Sequence, residues 1–319
     1  MPSNPPYLHD HKQFSDLILI VASALGIEPI LVEKDYWIMH CLYGLNQLGL
    51  TYELKGGTSL SKGFRVINRF SEDIDIRIDP AGAPFEVFSG KNHSKPKHVQ
   101  SRKDFYDWLA SEKIIIDGIV EIKRDTEFDD EQYRSGGIRL HYQSQFESLD
   151  GIRAGILLEA GFDTTTPNEA IDISSWALEH ALKAKVEIIN NISTRVNCYV
   201  PEYSFVEKLQ TVSTKYRQQQ EKGNDPKAFM RHYYDVAQLL EQKRVLDFIG
   251  TDDYKNYKTE RFRTGDELKI SNNEAFLLSD KDTRKLYKQA YENTPALYYQ
   301  NQIPFEEIMK KISQYIEAL

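Results

Sequence analysis

Apolar positions recur along this chain with two different periods, and the change from one to the other divides the sequence. From about Phe14 to Leu25, the residues Phe14, Leu17, Ile18, Val21, Ala24 and Leu25 fall at helical spacing, and Gly26 is a natural stop. A second helix is predicted after Pro29, with Ile30, Leu31, Trp37, Ile38, Cys41, Leu42 and Leu45 as its apolar positions and an end between Gly44 and Gly49. Both read as scaffold. A short apolar segment around Tyr52 to Leu54 then runs into paired glycines and a further helical pattern in KGGTSLSKGFRVINRF. In the SEDIDIRID that follows, Ile74, Ile76 and Ile78 alternate with Asp73, Asp75, Arg77 and Asp79. Period two over that length predicts a strand with one apolar face and one acidic face.

Residues Pro80 to Arg102 show little periodicity and predict a long, mobile excursion. A helix from Asp104, carrying Phe105, Trp108 and Leu109, leads to strand candidates at Lys113 to Lys123, Gly137 to Phe146 and Arg153 to Phe162, with another near Arg195 to Val200. They predict a mostly antiparallel or mixed sheet. Beyond Pro201 the pattern is helical: Phe205 to Tyr216, Pro226 to Leu240, a short piece near Val245, Arg284 to Tyr291, and Phe305 to Ile316. The shift predicts an α+β fold, with a catalytic domain over 1–200 that includes the scaffold helices and a helical domain over 201–319 that completes the cleft.

Composition narrows the setting. A chain of 319 residues with 40% hydrophobic and 12% aromatic content can build one large core or two ordinary ones. No run approaches the roughly 20 apolar residues of a membrane-spanning helix. The start, MPSNPPYLHDHKQF, lacks the apolar core of a secretion signal, so the expectation is a cytoplasmic protein with no membrane partner. Cys41 and Cys198, far apart in apolar surroundings, read as buried thiols. A net charge of -8 argues against coating by nucleic acid but leaves room for a local basic path. Lys91, His93, Lys95, Lys97, His98, Arg102 and Lys103 form one candidate, and Lys255, Lys258, Arg261 and Arg263 a weaker one. Each also reads as a solvated segment.

The residue types with chemistry to offer concentrate in one stretch. On a strand, side chains at i and i+2 leave the same face with roots about 6.5 to 7 Å apart, so Asp73 and Asp75 can converge on a hard cation. Just upstream, Gly56-Gly57-Thr58-Ser59 stands between a strand and a helical pattern. Glycines there let backbone N–H groups approach a phosphate, and Thr58 and Ser59 add hydroxyls. Together they describe a phosphate cradle facing a metal pair. Elsewhere the signals are weaker. His40 packs in an apolar helix, His93 and His98 lack zinc-like partners, and no GxSxG elbow, Walker A or dinucleotide fingerprint occurs. The pairs Tyr233-Tyr234 and Tyr298-Tyr299 can stack on bases, although core packing is the commoner fate.

The stretch KGGTSLSKGFRVINRFSEDIDI resembles the first motif of the AbiEii/AbiGii and MenT-like nucleotidyltransferase toxins, a GG[ST]xL element followed by SxDxD, within the polymerase-β-like nucleotidyltransferase superfamily. GILLEAG, VEKL and RHYYDVAQLL follow in the order of that family's later motifs, so the resemblance spans about Leu54 to Leu240. It implies a polymerase-β-like core with a mixed sheet flanked by helices. It further implies that Gly57, Thr58 and Ser59, beside Gly56, hold a triphosphate and that Asp73 and Asp75 bind divalent metal, Mg2+ or Mn2+. Ser71 matches the hydroxyl residue before the acids, a phosphorylation point in some relatives and otherwise a turn former. Glu159 matches a third acid that completes the metal site or activates the acceptor hydroxyl. Lys208 matches a lysine that meets the nucleotide phosphates. Arg231 and Asp235, four apart on one helix, favour either an ion pair or joint service at the site, where the resemblance makes them a nucleotide-binding arginine and a second-domain acid. Many relatives have aspartate directly after that arginine, where this chain has His232, a departure that leaves open whether Asp235 alone does the second-domain acid's work.

The reaction so implied moves an NMP from an NTP to an acceptor hydroxyl. RNA, at a tRNA 3' end, is the implied acceptor, and the setting is a toxin–antitoxin or phage-defence system with a cognate antitoxin as partner. Transfer to a protein or small-molecule hydroxyl, and a catalytically silent nucleotide- or partner-binding module, are the alternatives.

Overall fold

The structure, a computed structural model, describes residues 5–149, 151–295, 298–299 and 302–319. The chain divides into two compact units: residues 1–63 with 71–199, and residues 64–70 with 200–319. The first seven of the residues that link the glycine bend to the acidic strand, Phe64–Phe70, thus fold with the helices of the second unit.

The first unit contains α1 (Phe14–Leu25), α2 (Pro29–Gln47), β1 (Tyr52–Lys55), a single turn α3 (Gly56–Thr58), β2 (Asp73–Ile78), α4 (Pro96–Trp108), β3 (Ile119–Asp125), β4 (Ser135–Tyr142), β5 (Ile156–Gly161), β6 (Asn168–Ile173), α5 (Trp176–Lys183) and β7 (Ser193–Tyr199). Its seven strands form one mixed sheet in the order β3-β4-β5-β2-β1-β7-β6. The pairs β1–β7 and β2–β5 are parallel and the others antiparallel. The expected α+β class with a mixed sheet therefore holds.

One face of the sheet is apolar. Leu54, Ile74, Ile76, Ile138, Leu140 and Leu158 are fully buried there, and register puts them side by side. Helix α2 backs this face: Trp37 stacks on Tyr142 at 4.7 Å, and the Tyr52 hydroxyl donates to the Leu42 carbonyl at 3.1 Å. Helix α4 backs it further along, where Gly136 leaves room for the Tyr106 ring, 2.6 Å from where a Cβ would stand. Cys41 and Cys198 are buried free thiols, as expected. Among the described residues no single helix is long and apolar enough to cross a membrane.

Three elements differ from the sequence expectation. Helix α4 begins at Pro96, so the last seven residues of the supposed mobile excursion are helical. Its inward positions are His98, Ser101, Arg102, Phe105 and Tyr106, and three polar side chains at the buried positions concealed the periodicity. Arg102, fully buried, donates to the carbonyls of Gln132, Phe88 and His93 and ties the preceding loop down, so it is not part of a solvated basic path. Edge strand β6 and helix α5 were not anticipated, because NEAIDI dilutes its apolar alternation with acids.

The second unit is helical: α6 (Pro201–Lys222), α7 (Arg231–Leu239), α8 (Lys243–Phe248), α9 (Asp252–Arg261), α10 (Glu274–Leu277), α11 (Lys281–Glu292) and α12 (Phe305–Tyr315). Tyr233, Tyr287, Tyr291 and Phe305 are fully buried in its core. Tyr233 and Tyr234 are core residues here, and the Tyr233 hydroxyl donates to the Ala275 carbonyl at 2.6 Å. The weaker basic cluster lies on α9 and just after it, and its Lys258 is buried against the carbonyl of Leu319.

A buried histidine gives the first unit a pH-dependent stability. His40 is 1% exposed, its Nε2–H donates to the Asp117 carbonyl at 2.9 Å, and its Nδ1 accepts from the Asn191 amide at 2.7 Å. Burial first, and the neighbouring His9 second, pull its pKa down to about 4. Between the ordinary value near 6.5 and this lower one, the unfolded chain takes up a proton that the fold refuses. Stability is therefore full above about pH 6.5 and declines towards pH 4, by about 3 kcal/mol at most. Urea unfolding at pH 7 and pH 4.5 should show that loss in the wild type and a clearly smaller one in His40→Gln. Equal slopes would mean that His40 titrates normally.

Candidate active site

Strand β2 presents its acids where the alternation placed them. Asp73 and Asp75 are half-buried between fully buried isoleucines. Asp75 lies beside Glu159 of β5 and opposite Lys55 of β1, while Asp73 lies beside Leu157. Residues paired across neighbouring strands share a face, so Asp73, Asp75 and Glu159 project from the side opposite α2. Strand spacing of about 4.8 Å and an i to i+2 step of about 6.5 to 7 Å bring all three within rotamer reach of a common ion. An all-oxygen donor set suits Mg2+ or Mn2+. The three acids are not drawn into a ligand shell as they stand. Among the described residues, the triad whose ligand atoms lie within 4.8 Å of one another is His9, Asp10 and Asp117.

The glycine bend is fitted to those acids. Gly56 follows β1 with a φ of +68°, and a Cβ built there would fall on Oδ2 of Asp75. Only glycine satisfies both the backbone angle and the contact. Instead of a regular helix, the bend continues through α3 into a π turn at Ser59–Gly63. Thr58 and Ser59 are fully buried, and their hydroxyls donate to the carbonyls of Asp73 and Tyr199. These hydroxyls pin the bend to the sheet, so what the bend offers an anion is its backbone. Gly56→Ala is expected to cut activity by roughly a hundredfold, because it displaces the Asp75 carboxylate. Its cost in stability should be only about 1 to 2 kcal/mol. Activity assays and thermal melts on one preparation separate the two effects.

The scaffold helix α2 contributes more than packing. Glu33, Lys34 and Asp35 are all buried in its first half. Lys34 donates to Glu72 at 3.1 Å and to the Arg153 carbonyl. Burial lowers its pKa, and the charges of Glu72 and Asp73 oppose that shift. Asp35 pairs with Lys62 of the glycine bend and accepts the Trp176 N–H at 2.9 Å. Burial pushes the Asp35 pKa up and the Lys62 charge opposes it. Sequence reading missed all three. The signal was three consecutive charges, EKD, inside an otherwise apolar helix.

In the helical unit, Asp235 is fully buried and bidentate with Arg69, at 2.6 Å from Nε and 2.7 Å from Nη2. Lys208 completes the group at 2.9 Å and donates to His232 Nδ1 at 3.2 Å. Burial alone raises the Asp235 pKa, but the Arg69 and Lys208 charges outweigh it and hold the carboxyl far below the usual range. His232 is kept neutral, first by burial and then by the Lys208 charge. The partner of Asp235 is thus Arg69, 166 positions away, and not Arg231 one turn back, which is exposed. Ser71 is half-buried just ahead of β2.

Comparison with known families places this chain among the nucleotidyltransferases. Residues 40–311 match the family model described as "Nucleotidyl transferase AbiEii toxin, Type IV TA system". The chain therefore belongs to the AbiEii family of type IV toxin–antitoxin systems, which carries with it an NTP substrate and a cognate antitoxin. Among solved structures, an antigenic nucleotidyltransferase-like protein from Paracoccidioides brasiliensis matches at 12% identity, over 80% of this chain and 93% of that one, with a TM-score of 0.37. So weak a likeness carries no argument. No curated protein matches.

Proposed function

We propose that this toxin transfers an NMP from an NTP to a hydroxyl at an RNA end, with a tRNA 3' end as the favoured acceptor, and that Asp73, Asp75 and Glu159 hold Mg2+ or Mn2+. The observation that carries the reading is the acid row: Asp75 in register with Glu159, and Gly56 so close to Asp75 that no side chain fits between them. A divalent ion bound there supplies charge neutralisation for the phosphates and lowers the pKa of the acceptor hydroxyl.

The chain's own groups do the rest. The backbone of Gly56 and Gly57 positions the triphosphate against the acid face, and positioning provides much of the rate in phosphoryl chemistry. Glu159 takes the acceptor proton. The acceptor oxygen bonds to the α-phosphorus as the bond to the bridging oxygen breaks, and pyrophosphate leaves with the electron pair. Within the helical unit Asp235 fixes Lys208 in place, and Lys208 and Arg231 are candidate nucleotide-binding residues on the family resemblance alone. In a cytoplasmic setting such transfer arrests growth, and phage defence is the use that fits a toxin of this family.

The test is incubation with Mg2+, each α-labelled NTP in turn and total RNA. Label on RNA that depends on the metal is expected. Label on protein would replace the RNA acceptor with a protein hydroxyl, a reading that the net charge of -8 favours. Tight NTP binding with no label anywhere would leave a silent nucleotide-binding module.

A further inference from the structure

The acid face continues past Glu159 onto β4, and there it turns basic. Gly137 pairs with Glu159 and Arg139 with Leu157, which itself neighbours Asp73. Arg139 therefore stands on the same face as the acids, two strands from Asp73. It is 7% exposed. Its Nε and Nη2 both donate to Asp125 Oδ2, at 3.0 and 2.6 Å, while its Nη1 is buried without a hydrogen-bond partner among the described residues. A buried guanidinium N–H left unsatisfied is costly, so this one points to an acceptor that arrives with a ligand.

A second guanidinium shares an aromatic ring with it. The Arg153 and Arg139 groups lie 4.9 and 5.8 Å from the centre of the Phe128 ring. Phe128 reaches over this face because Gly137 has no side chain: a Cβ there would stand 2.8 Å from the Phe128 Cβ. The Arg153 side chain is 54% exposed, and its acidic neighbour Glu127, at 3.5 Å, is more exposed still. Two guanidinium groups braced on one ring suit a phosphate, which accepts from planar forks of donors.

In-line displacement decides which phosphate. The entering oxygen and the departing pyrophosphate lie on opposite sides of the α-phosphorus. Sheet order β4-β5-β2-β1 puts the glycine bend on one flank of the acids and Arg139 on the other. With the triphosphate on the bend, the acceptor comes in from the Arg139 side. We propose that Arg139 and Arg153 bind the last phosphodiester of a single-stranded nucleic-acid acceptor and so hold its terminal hydroxyl at the acids. The inference rests on the nucleotidyl-transfer reading above and assigns the acceptor subsite within it. A protein hydroxyl brings no phosphate to this position, so the pair also selects against that acceptor class.

The probes are a short fluorescein-labelled single-stranded RNA with a free 3' hydroxyl, read by anisotropy, and each Mg2+–NTP, read by equilibrium dialysis. Arg139→Gln and Arg153→Gln should each weaken RNA binding by roughly ten- to a hundredfold, the worth of a charged hydrogen bond, with NTP affinity unchanged. In the labelling assay the loss should appear in KM for RNA, and Arg139→Lys should recover part of it. Arg153 is exposed enough that its variant folds even if Arg139→Gln does not. RNA binding at wild-type strength in Arg153→Gln and in folded Arg139 variants, or loss of NTP binding instead, overturns the subsite and leaves the transfer reading standing. A wild-type protein that binds no NTP overturns both.

Discussion

Asp75→Asn should lower NMP transfer by roughly a thousandfold or more without moving the unfolding midpoint. Asparagine has the same volume, which matters at a side chain pressed against Gly56. It removes the charge and one hard oxygen donor from the centre of the acid row, where Asp75 has Glu159 beside it and Asp73 two positions away. Asp75 lies on the sheet's polar face and is only half-buried, so no core contact is lost with it. Label incorporation across a Mg2+ titration, paired with a thermal melt, gives both readouts. Transfer at wild-type rates in a folded Asp75→Asn protein would move the active site elsewhere.

The second large effect is on stability, and it falls in the helical unit. Arg69→Met strips a fully buried carboxylate of its bidentate partner and leaves Asp235 with Lys208 alone. Breaking a buried pair from one side costs about 3 to 5 kcal/mol, because the remaining charge is desolvated and poorly compensated. Pairing Arg69→Met with Asp235→Leu should recover a large part of the loss, since an apolar replacement of the pair leaves neither charge stranded. The sign with pH follows from the depressed Asp235 pKa. Its stabilisation is complete above the ordinary carboxylate value near 3.8 and is lost only as the pH falls below it. Denaturant melts of the single and double variants at pH 7 test the coupling. Losses that simply add would show that the two residues act independently.

The acidic strand could be read because its cause is local. Alternation of Ile74, Ile76 and Ile78 with acids needs no partner to be recognised, and β2 forms over Asp73–Ile78 accordingly. The helices α1 and α2 were equally plain, since each announces a boundary with Gly26 or Pro29. Helix α4 was placed eight residues late because burial of His98, Ser101 and Arg102 reflects tertiary hydrogen bonds and not side-chain polarity. Strand β6 went unseen for the converse reason. An edge strand that pairs on one side tolerates acids, and its pattern fades.

Within the site, Glu159 was a candidate through family resemblance alone, whereas the sequence by itself determined the local features of the candidate site: two acids on one strand face and a glycine pair just upstream. Short-range periodicity and backbone permissiveness fix those features, and both are properties of neighbouring residues. Only the tertiary structure decided what each group touches. Parallel pairing of β2 with β5 set Glu159 beside Asp75, the Thr58 and Ser59 hydroxyls turned inward to the sheet, and Asp235 took Arg69 over the nearer Arg231. Strand register and buried ion pairs join residues a hundred or more positions apart, and the energy that selects them comes from burial, which no local pattern records.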